Sequence, residues 1–170
     1  MNKTELVARV RAALEEKAFP CEEIEGQPGL QWFQPLSDDY ENDYALGEMF
    51  FASDLTEEDM NGLEIVQCNL VFQRDLPEES ADALRAFLAK VNRMISGGRF
   101  EAQTEAGCFV EYGHDLVLPA DLDDDRTETV VLGALDLADA YLHLVYDAVK
   151  AVGNGDLTPE AALEQIRDEE

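Results

Sequence analysis

Apolar residues recur along this chain at two periods, and each period predicts a different kind of element. Over residues 4–17 they recur every three or four positions, which predicts a helix that begins at Thr4 and ends before Phe19-Pro20. A second helix is expected to begin at Asp75, with a capping-box-like Glu78 three residues later. Helical spacing therefore predicts, besides the first helix, helices over residues 75–96, over residues 129–152 and after Thr158, where Pro159 takes the first position.

Alternation of apolar and polar residues predicts the strands. The clearest alternation places Val66, Cys68 and Leu70 on one side of a strand. A hairpin is expected around Gly107, because glycine suits the left-handed position of a short turn. The full set of predicted strands covers residues 19–25, 30–36, 44–52, 63–74, 100–104 and 108–118.

The order of these elements is α-β-β-β-(β)-α-β-β-α-α. Strands and helices segregated in this way indicate an α+β fold, an antiparallel sheet with helices packed mainly on one face. Two acidic segments, residues 37–43 and 53–62, are expected to be loops, the second with a helical turn capped by Thr56. Since no repeat or long linker divides the chain, residues 1–170 are expected to form a single domain.

Charge narrows the range of partners. The chain has 38 Asp and Glu against 12 Lys and Arg, a formal charge of −26. Nucleic acids and anionic membranes require a cationic surface, so direct binding to either is not expected. The partners expected are proteins or peptides that are basic, or that bind through contacts other than charge.

The N-terminal sequence and the cysteines indicate the cellular compartment in which the protein is expected. The N-terminal residues lack the apolar run and the small-residue cleavage site of a signal peptide, and no uncharged apolar stretch of about 18 residues predicts a membrane span. Cys21, Cys68 and Cys108 are odd in number and far apart, which does not fit a disulfide framework or a zinc site. Reduced thiols in a cytoplasmic protein are therefore expected.

The predicted 129–152 helix is more apolar than a helix lying on a sheet needs to be. Its polar residues occupy one narrow stripe: Asp136, Asp139, His143, Asp147 and Lys150. The rest of its circumference must be covered. Two interpretations remain open: the first and last helices cover it within the domain, or a second subunit or a bound partner does so.

Acidic residues around His143 suggest chemistry only weakly. Asp139, His143 and Asp147 stand one helical turn apart, so they could bind a metal or supply a base. A solvated helix face with an ion-paired histidine is the more common origin of such a pattern. The acidic run at residues 121–125 does not fit an EF-hand loop, because Arg126 falls where glycine is required. No catalytic residue, metal or cofactor is predicted.

Two adjacent aromatic pairs, Trp32-Phe33 and Phe50-Phe51, lie in predicted strands. Alternation sends the two members of each pair to opposite faces of the sheet, so one member of each pair is expected to point away from the helices. Together with the long helix they define a candidate partner or dimer surface: Trp32, Phe33, Phe50, Phe51, Tyr141, Leu142, Val145 and Tyr146.

Several short motifs resemble the YbjN family. They lie at residues 88–93 (LAKVNR), 97–100 (GGRF), 109–116 (FVEYGHDL), 141–146 (YLHLVY) and 155–162 (GDLTPEAA). The resemblance spans about residues 60–166, and the chain departs from the family in a longer acidic insertion around residues 37–62. It implies a type III secretion chaperone-like fold, which is small, acidic and usually homodimeric. Such chaperones hold an unfolded segment of a partner, and YbjN-like proteins are described mostly as regulators, without catalytic residues or cofactors.

The expected function is that of a non-enzymatic, homodimeric protein-binding module, chaperone-like or regulatory. It would bind a segment of a partner protein through exposed strand or helix surface, or through an open sheet edge. One alternative is an acidic inhibitor that mimics nucleic acid and occupies a basic protein. A second, less favoured alternative is a metal-dependent enzyme built on Asp139, His143 and Asp147.

Overall fold

One antiparallel sheet organises the chain. The structure is a computed structural model, and it describes residues 2–37, 43–52, 60–105 and 107–168. Within these residues six strands pair in the spatial order β1-β2-β3-β4-β6-β5, each antiparallel to its neighbours. The strands are β1 (Cys21–Glu23), β2 (Gly29–Pro35), β3 (Tyr44–Phe51), β4 (Leu63–Leu76), β5 (Arg99–Gln103) and β6 (Cys108–Pro119).

The helices in the described part of the chain pack against one face of this sheet, the inner face. The longest of them contacts β4 and β6 and touches each of the other three helices. The predicted class, α+β with an antiparallel sheet and helices mainly on one face, is confirmed. The helices are α1 (Lys3–Glu16), α2 (Ala81–Val91, after a 3-10 turn at Glu78–Ser80), α3 (Asp124–Gly153) and α4 (Pro159–Asp168).

Two helices begin earlier than predicted, because an upstream side chain supplies the N-terminal cap. The side chain of Asn2, not Thr4, caps α1 and accepts a hydrogen bond from the Glu5 amide at 3.2 Å. Asp123 caps α3 through the Arg126 amide at 3.0 Å, so α3 includes part of the acidic segment that was predicted to be a loop. Negative charges in a first turn suit the helix dipole, which explains why this acidic run is helical.

Strand β4 extends into the segment predicted to begin a helix at Asp75. The residue before a proline avoids the helical region, so Leu76, which precedes Pro77, stays extended and pairs with Cys108. Gln73 and Asp75 adopt positive φ, and the register shifts between Phe72 and Leu76. The prediction that Asp75 caps this helix was wrong, and the helical turn expected at Thr56 lies outside the described residues.

The other helices and the sheet cover most of the apolar surface of α3. Leu142 and Val145 are fully buried, and α3 packs against α1, α2, α4 and the sheet. The interpretation in which other helices cover it therefore holds for most of its surface. By length and composition α3 could cross a membrane, but core packing explains the same composition. Val130 and Leu137 are its apolar exceptions, 41% and 36% exposed.

Trp32 fixes the spacing of β2 and β3 on the inner face. It is 1% exposed and lies opposite Gly47 in the register. A Cβ atom on Gly47 would lie only 2.1 Å from Cε2 of the indole, so the ring occupies the space that any other residue at position 47 would need. The sequence alternation predicts a strand here, and this glycine makes room for the bulkiest core side chain.

We expect Gly47→Ala to lower the free energy of unfolding by about 2 kcal/mol, because the added methyl group overlaps a buried ring. Gly113→Ala on β6 is the matched control, since its methyl group would meet only Asn69 Oδ1, at an ordinary contact distance of 3.5 Å. Glycine in a strand interior is less favourable than alanine by about 0.5–1 kcal/mol, so the control should stabilise the protein. Urea unfolding followed by circular dichroism measures both; equal signs for the two variants would contradict this packing.

Candidate functional site

The side of the sheet opposite the helices, which we term the open face, carries an apolar patch. The patch consists of Phe33, Tyr44, Leu46 and Val71, which come from three neighbouring strands. Phe33 is 47% exposed, and its ring centroid lies 5.6 Å from that of Tyr44. Leu46 stands between Phe33 and Val71 in the strand register, so the three form one row across the sheet.

Glu111 and Glu101 continue the same row, and Glu48 lies in the neighbouring row, opposite Asn69. We term these three carboxylates the acidic end: Glu48, Glu101 and Glu111. Glu111 pairs with Val71 on one side and with Glu101 on the other, so two like charges lie directly opposite each other. Partial burial raises the pKa of Glu111, and the carboxylates of Glu101 and Glu48 raise it further. Arg99 offsets only part of this charge, through an ion pair with Glu101 at 3.1 Å.

A polar depression of about 620 Å³ borders the acidic end. The described residues that line it are Gln67, Asn69, Gly97, Gly98, Arg99, Glu101, Glu111, Gly113, His114 and Asp115. Burial lowers the pKa of His114, and its Nδ1 atom has no hydrogen-bond partner among the described residues. No serine, cysteine or lysine occurs in this lining set, so any covalent or acid–base chemistry there would have to come from Glu101, Glu111, Asp115 or His114.

A corner formed by residues 92–100 supports the depression from behind. The two glycines Gly97 and Gly98 have positive φ, and a Cβ on Gly98 would lie 2.3 Å from the Tyr112 hydroxyl oxygen. That hydroxyl donates to the Gly97 carbonyl at 3.2 Å. Tyr141 of α3 accepts from the Ser96 amide at 2.9 Å and donates to its carbonyl at 3.1 Å. The residues that carry the sequence resemblance therefore hold this corner together.

Each edge of the sheet has a feature that limits pairing with another strand. At one edge the side chain of Asn92 accepts from the Phe100 amide at 2.8 Å and donates to the Phe100 carbonyl at 2.9 Å, and we term these two hydrogen bonds the Asn92 clamp. They engage two of the backbone groups that an added strand would use on β5. The other edge strand, β1, has three residues, which limits any pairing there. The open face is therefore a better binding surface than either edge.

The structure divides the eight residues of the predicted partner or dimer surface. Phe33 and Phe50 lie on the open face, and Tyr141 is half-buried in the 92–100 corner. Five of the eight are core side chains, because strand alternation and the helix cover turn them inward, which removes them from any surface of this domain: Trp32, Phe51, Leu142, Val145 and Tyr146.

The acidic stripe on α3 is structural. The carboxylate of Asp139 accepts a hydrogen bond from the buried side chain of Gln34 and lies 3.1 Å from His143 Nδ1. Lys150 pairs with Asp43 at 3.3 Å instead of extending the stripe. In the described ranges no group of three His, Cys, Asp or Glu side chains is placed to hold a metal ion.

The thiols lie apart from the depression. Cys68 and Cys108 are buried, and burial raises the pKa of Cys68 to about 12. Burial also raises the pKa of the half-buried Cys21. Since the thiolate is the reactive form, the raised pKa values make Cys21 and Cys68 poor nucleophiles at neutral pH.

Of the apolar patch and the acidic end, only Phe33 was singled out in the sequence; Glu101 and Glu111 are among the residues missed. Their pairing follows from the β5–β6 register, which the hairpin at Gly107 would have allowed us to derive. The contribution of Glu48 depends on the non-local order β3-β4-β6, for which the sequence carries no local signal.

These features define an α+β fold of the YbjN type: a six-stranded antiparallel sheet with helices on one face. The solved structure of YbjN from E. coli, described as a candidate transcription regulator, is similar to this chain with a TM-score of 0.50. The similarity covers 83% of this chain and 91% of that one at 7% sequence identity, so it shows the fold alone. No family model matches the sequence, and no curated protein does.

Asn92→Ala should lower the free energy of unfolding by about 2 kcal/mol, because it removes two hydrogen bonds to the backbone. Asn154→Ala, at an exposed asparagine after α3, is the control and should change stability by less than about 0.5 kcal/mol. Hydrogen exchange gives a local readout, since the Phe100 amide should lose protection. A Phe100 amide that stays fully protected in Asn92→Ala would show that the clamp does not hold β5.

Glu111→Gln should stabilise the protein by about 0.5 kcal/mol at pH 7, because it removes a like-charge pair. The raised pKa of Glu111 means that folding disfavours its ionised form. As pH falls through that pKa the wild-type side chain takes up a proton, and the advantage of the variant should shrink and vanish below about pH 4. Thermal unfolding at several pH values measures this.

Exposed Glu164 on α4 provides the control for that series. Glu164→Gln removes the same charge away from the acidic end, so its effect should stay small across the pH range. A loss of stability in Glu111→Gln at pH 7 would contradict the assigned repulsion.

Proposed function

We propose that this chain is a non-enzymatic protein-binding module, regulatory or chaperone-like, that acts as a cytoplasmic homodimer. The apolar patch on the open face is the observation that carries the proposal. Four apolar side chains are contiguous there, on a sheet face on which the described helices do not pack. Exposed apolar surface of this kind, beside charged residues, is typical of protein interaction sites.

The rest of the described surface gives less support to other modes of binding. The Asn92 clamp occupies the outward backbone groups of Phe100, so an extended peptide cannot pair there. The depression beside the acidic end is lined by carboxylates, amides and one histidine, without a serine, cysteine or lysine, and we assign it polar contacts with a partner. The fold shared with a candidate transcription regulator supports a regulatory role.

Self-association is better placed on α3 than on the open face. Two copies meeting through the open face would cover the apolar patch and leave no room there for a partner. Val130, Gly133 and Leu137 form an exposed apolar stripe on α3, with space above the glycine. In our proposal this stripe forms the dimer contact and leaves both open faces free for a partner.

The surplus of carboxylates favours one competing function, an acidic inhibitor that occupies a basic protein. With a net charge of −26, such a complex would depend on many ion pairs. At 0.1 M salt, exposed charges more than about 10 Å apart are largely screened from each other, and the screening length shortens as salt is added, so the affinity of such a complex would fall steeply. Binding through the apolar patch is expected to persist at high salt.

A Phe33→Ser/Leu46→Ser variant should lose the partner protein in affinity capture from the source cell at both low and high salt. Val117→Ser is the matched control, because Val117 is 56% exposed on the same face but lies away from the patch. Circular dichroism confirms that both variants are folded. The proposed site would be overturned if the patch variant still captured the partner protein. It would also be overturned if the wild type lost the partner protein at high salt.

Light scattering tests the dimer separately. The wild type is expected at twice the mass of one chain, and Leu137→Ser is expected to shift it toward one chain, because a hydroxyl in an apolar contact is poorly solvated. A wild-type monomer at all concentrations would overturn the homodimer.

A further inference from the structure

One continuous row of side chains joins the apolar patch to the acidic end across five strands. The register places Phe33 beside Leu46, Leu46 beside Val71, Val71 beside Glu111, and Glu111 beside Glu101. Neighbouring strands lie about 4.8 Å apart, so the row is about 19 Å long. Its chemistry changes once along its length, from apolar to anionic between β4 and β6.

A ligand lying along this row cannot use its backbone for recognition. The row crosses the strands, and the backbone groups of β2, β3, β4 and β6 are engaged in the sheet. An extended segment placed over side chains would leave its own amides and carbonyls without partners. A helix satisfies those groups internally and presents side chains alone. At about 1.5 Å per residue, a helix of about 13 residues spans the row.

The negative charge of Glu111 and Glu101, at one end of the row, favours a cationic side chain at the matching position of such a helix. Glu111 accepts a side-chain hydrogen bond from Gln103 at a long 3.4 Å and faces the carboxylate of Glu101. Arg99 contacts Glu101 and leaves Glu111 without an ion pair among the described residues. A cation between these carboxylates would relieve their repulsion. Arginine suits the position, since its planar guanidinium can bind two carboxylates at once.

We infer that the open face binds an amphipathic helix of a partner protein whose apolar stripe ends in an arginine. The apolar side chains lie over Phe33, Leu46 and Val71, and the guanidinium lies between Glu111 and Glu101. This inference rests on the proposed function and adds to it the structure and chemistry of the bound segment. The negative charge of the domain then contributes specificity at one defined place, beyond its general effect on solubility.

Two fluorescein-labelled synthetic peptides of about 13 residues test this inference by fluorescence anisotropy. The first carries three leucines at helical spacing and an arginine one turn further on the same face. The second has the same composition with the arginine moved to the opposite face. Wild-type protein should bind the first peptide about tenfold more tightly, as expected for one charge-assisted contact of about 1.4 kcal/mol.

The acidic end is tested with Glu101→Gln/Glu111→Gln. This variant should bind the first peptide about tenfold more weakly than wild type does and the second peptide equally well. Glu16→Gln/Glu164→Gln removes the same charge from exposed helix positions and should leave the tenfold preference intact. Equal binding of the two peptides by wild type, or an equal loss in the control variant, would overturn the inference.

The variant Leu46→Ser distinguishes a failure of the inferred arginine contact from a failure of the proposed protein-binding function. If both peptides bind equally and Leu46→Ser weakens both, the face still binds apolar helices, and only the role of the arginine is overturned. If neither peptide binds, the helical ligand is overturned, while the capture experiment with Phe33→Ser/Leu46→Ser still decides whether the patch binds a protein.

Discussion

The packing of α3 against the inner face of the sheet is the contact on which the remaining structure depends. Its buried positions meet β4 and β6, and its flanks are held by the other helices, including an ion pair between Lys17 and Asp136. Because one long helix and its neighbours cover a single face, the opposite face of the same sheet stays free of helices. The open face is therefore a direct result of where the cover lies.

The 92–100 corner and the Asn92 clamp limit strand pairing at the β5 edge of a sheet that the described helices cover on one face only. A sheet with a free face and free edges would pair with other chains without selectivity. Asn92 occupies the Phe100 backbone, and the paired carboxylates Glu101 and Glu111 repel other acidic copies of this chain. In our proposal, binding is thereby restricted to ligands that match the face in both polarity and charge.

Local sequence patterns were enough to predict most elements of this fold but not their mutual placement. Alternation predicted that one member of Trp32-Phe33 points away from the helices. It could not say which, because the side of the helix cover depends on contacts more than 100 residues apart. The predicted start of α1 at Thr4 was wrong because asparagine and threonine are both good N-terminal caps, and the helix uses Asn2, two residues earlier.

The candidate site was less predictable for the same reason. A pair such as Glu101 and Glu111 follows from a hairpin register, which is local information. The row that joins them to Leu46 and Phe33 requires the order β2-β3-β4-β6-β5, which no single segment encodes. Periodicity also could not distinguish core from interface on α3, because both need apolar side chains at helical spacing.

The position of α3 near the end of the chain has a consequence for synthesis on the ribosome. The amide of Asn2 donates to Asp124 at 3.1 Å, so the beginning of the chain meets a helix that is made more than 120 residues later. Until α3 emerges, inner-face residues such as Trp32 and Met49 lack their final cover. At about 5–20 residues per second this interval lasts several seconds. During that time the nascent chain exposes apolar surface that the finished domain buries.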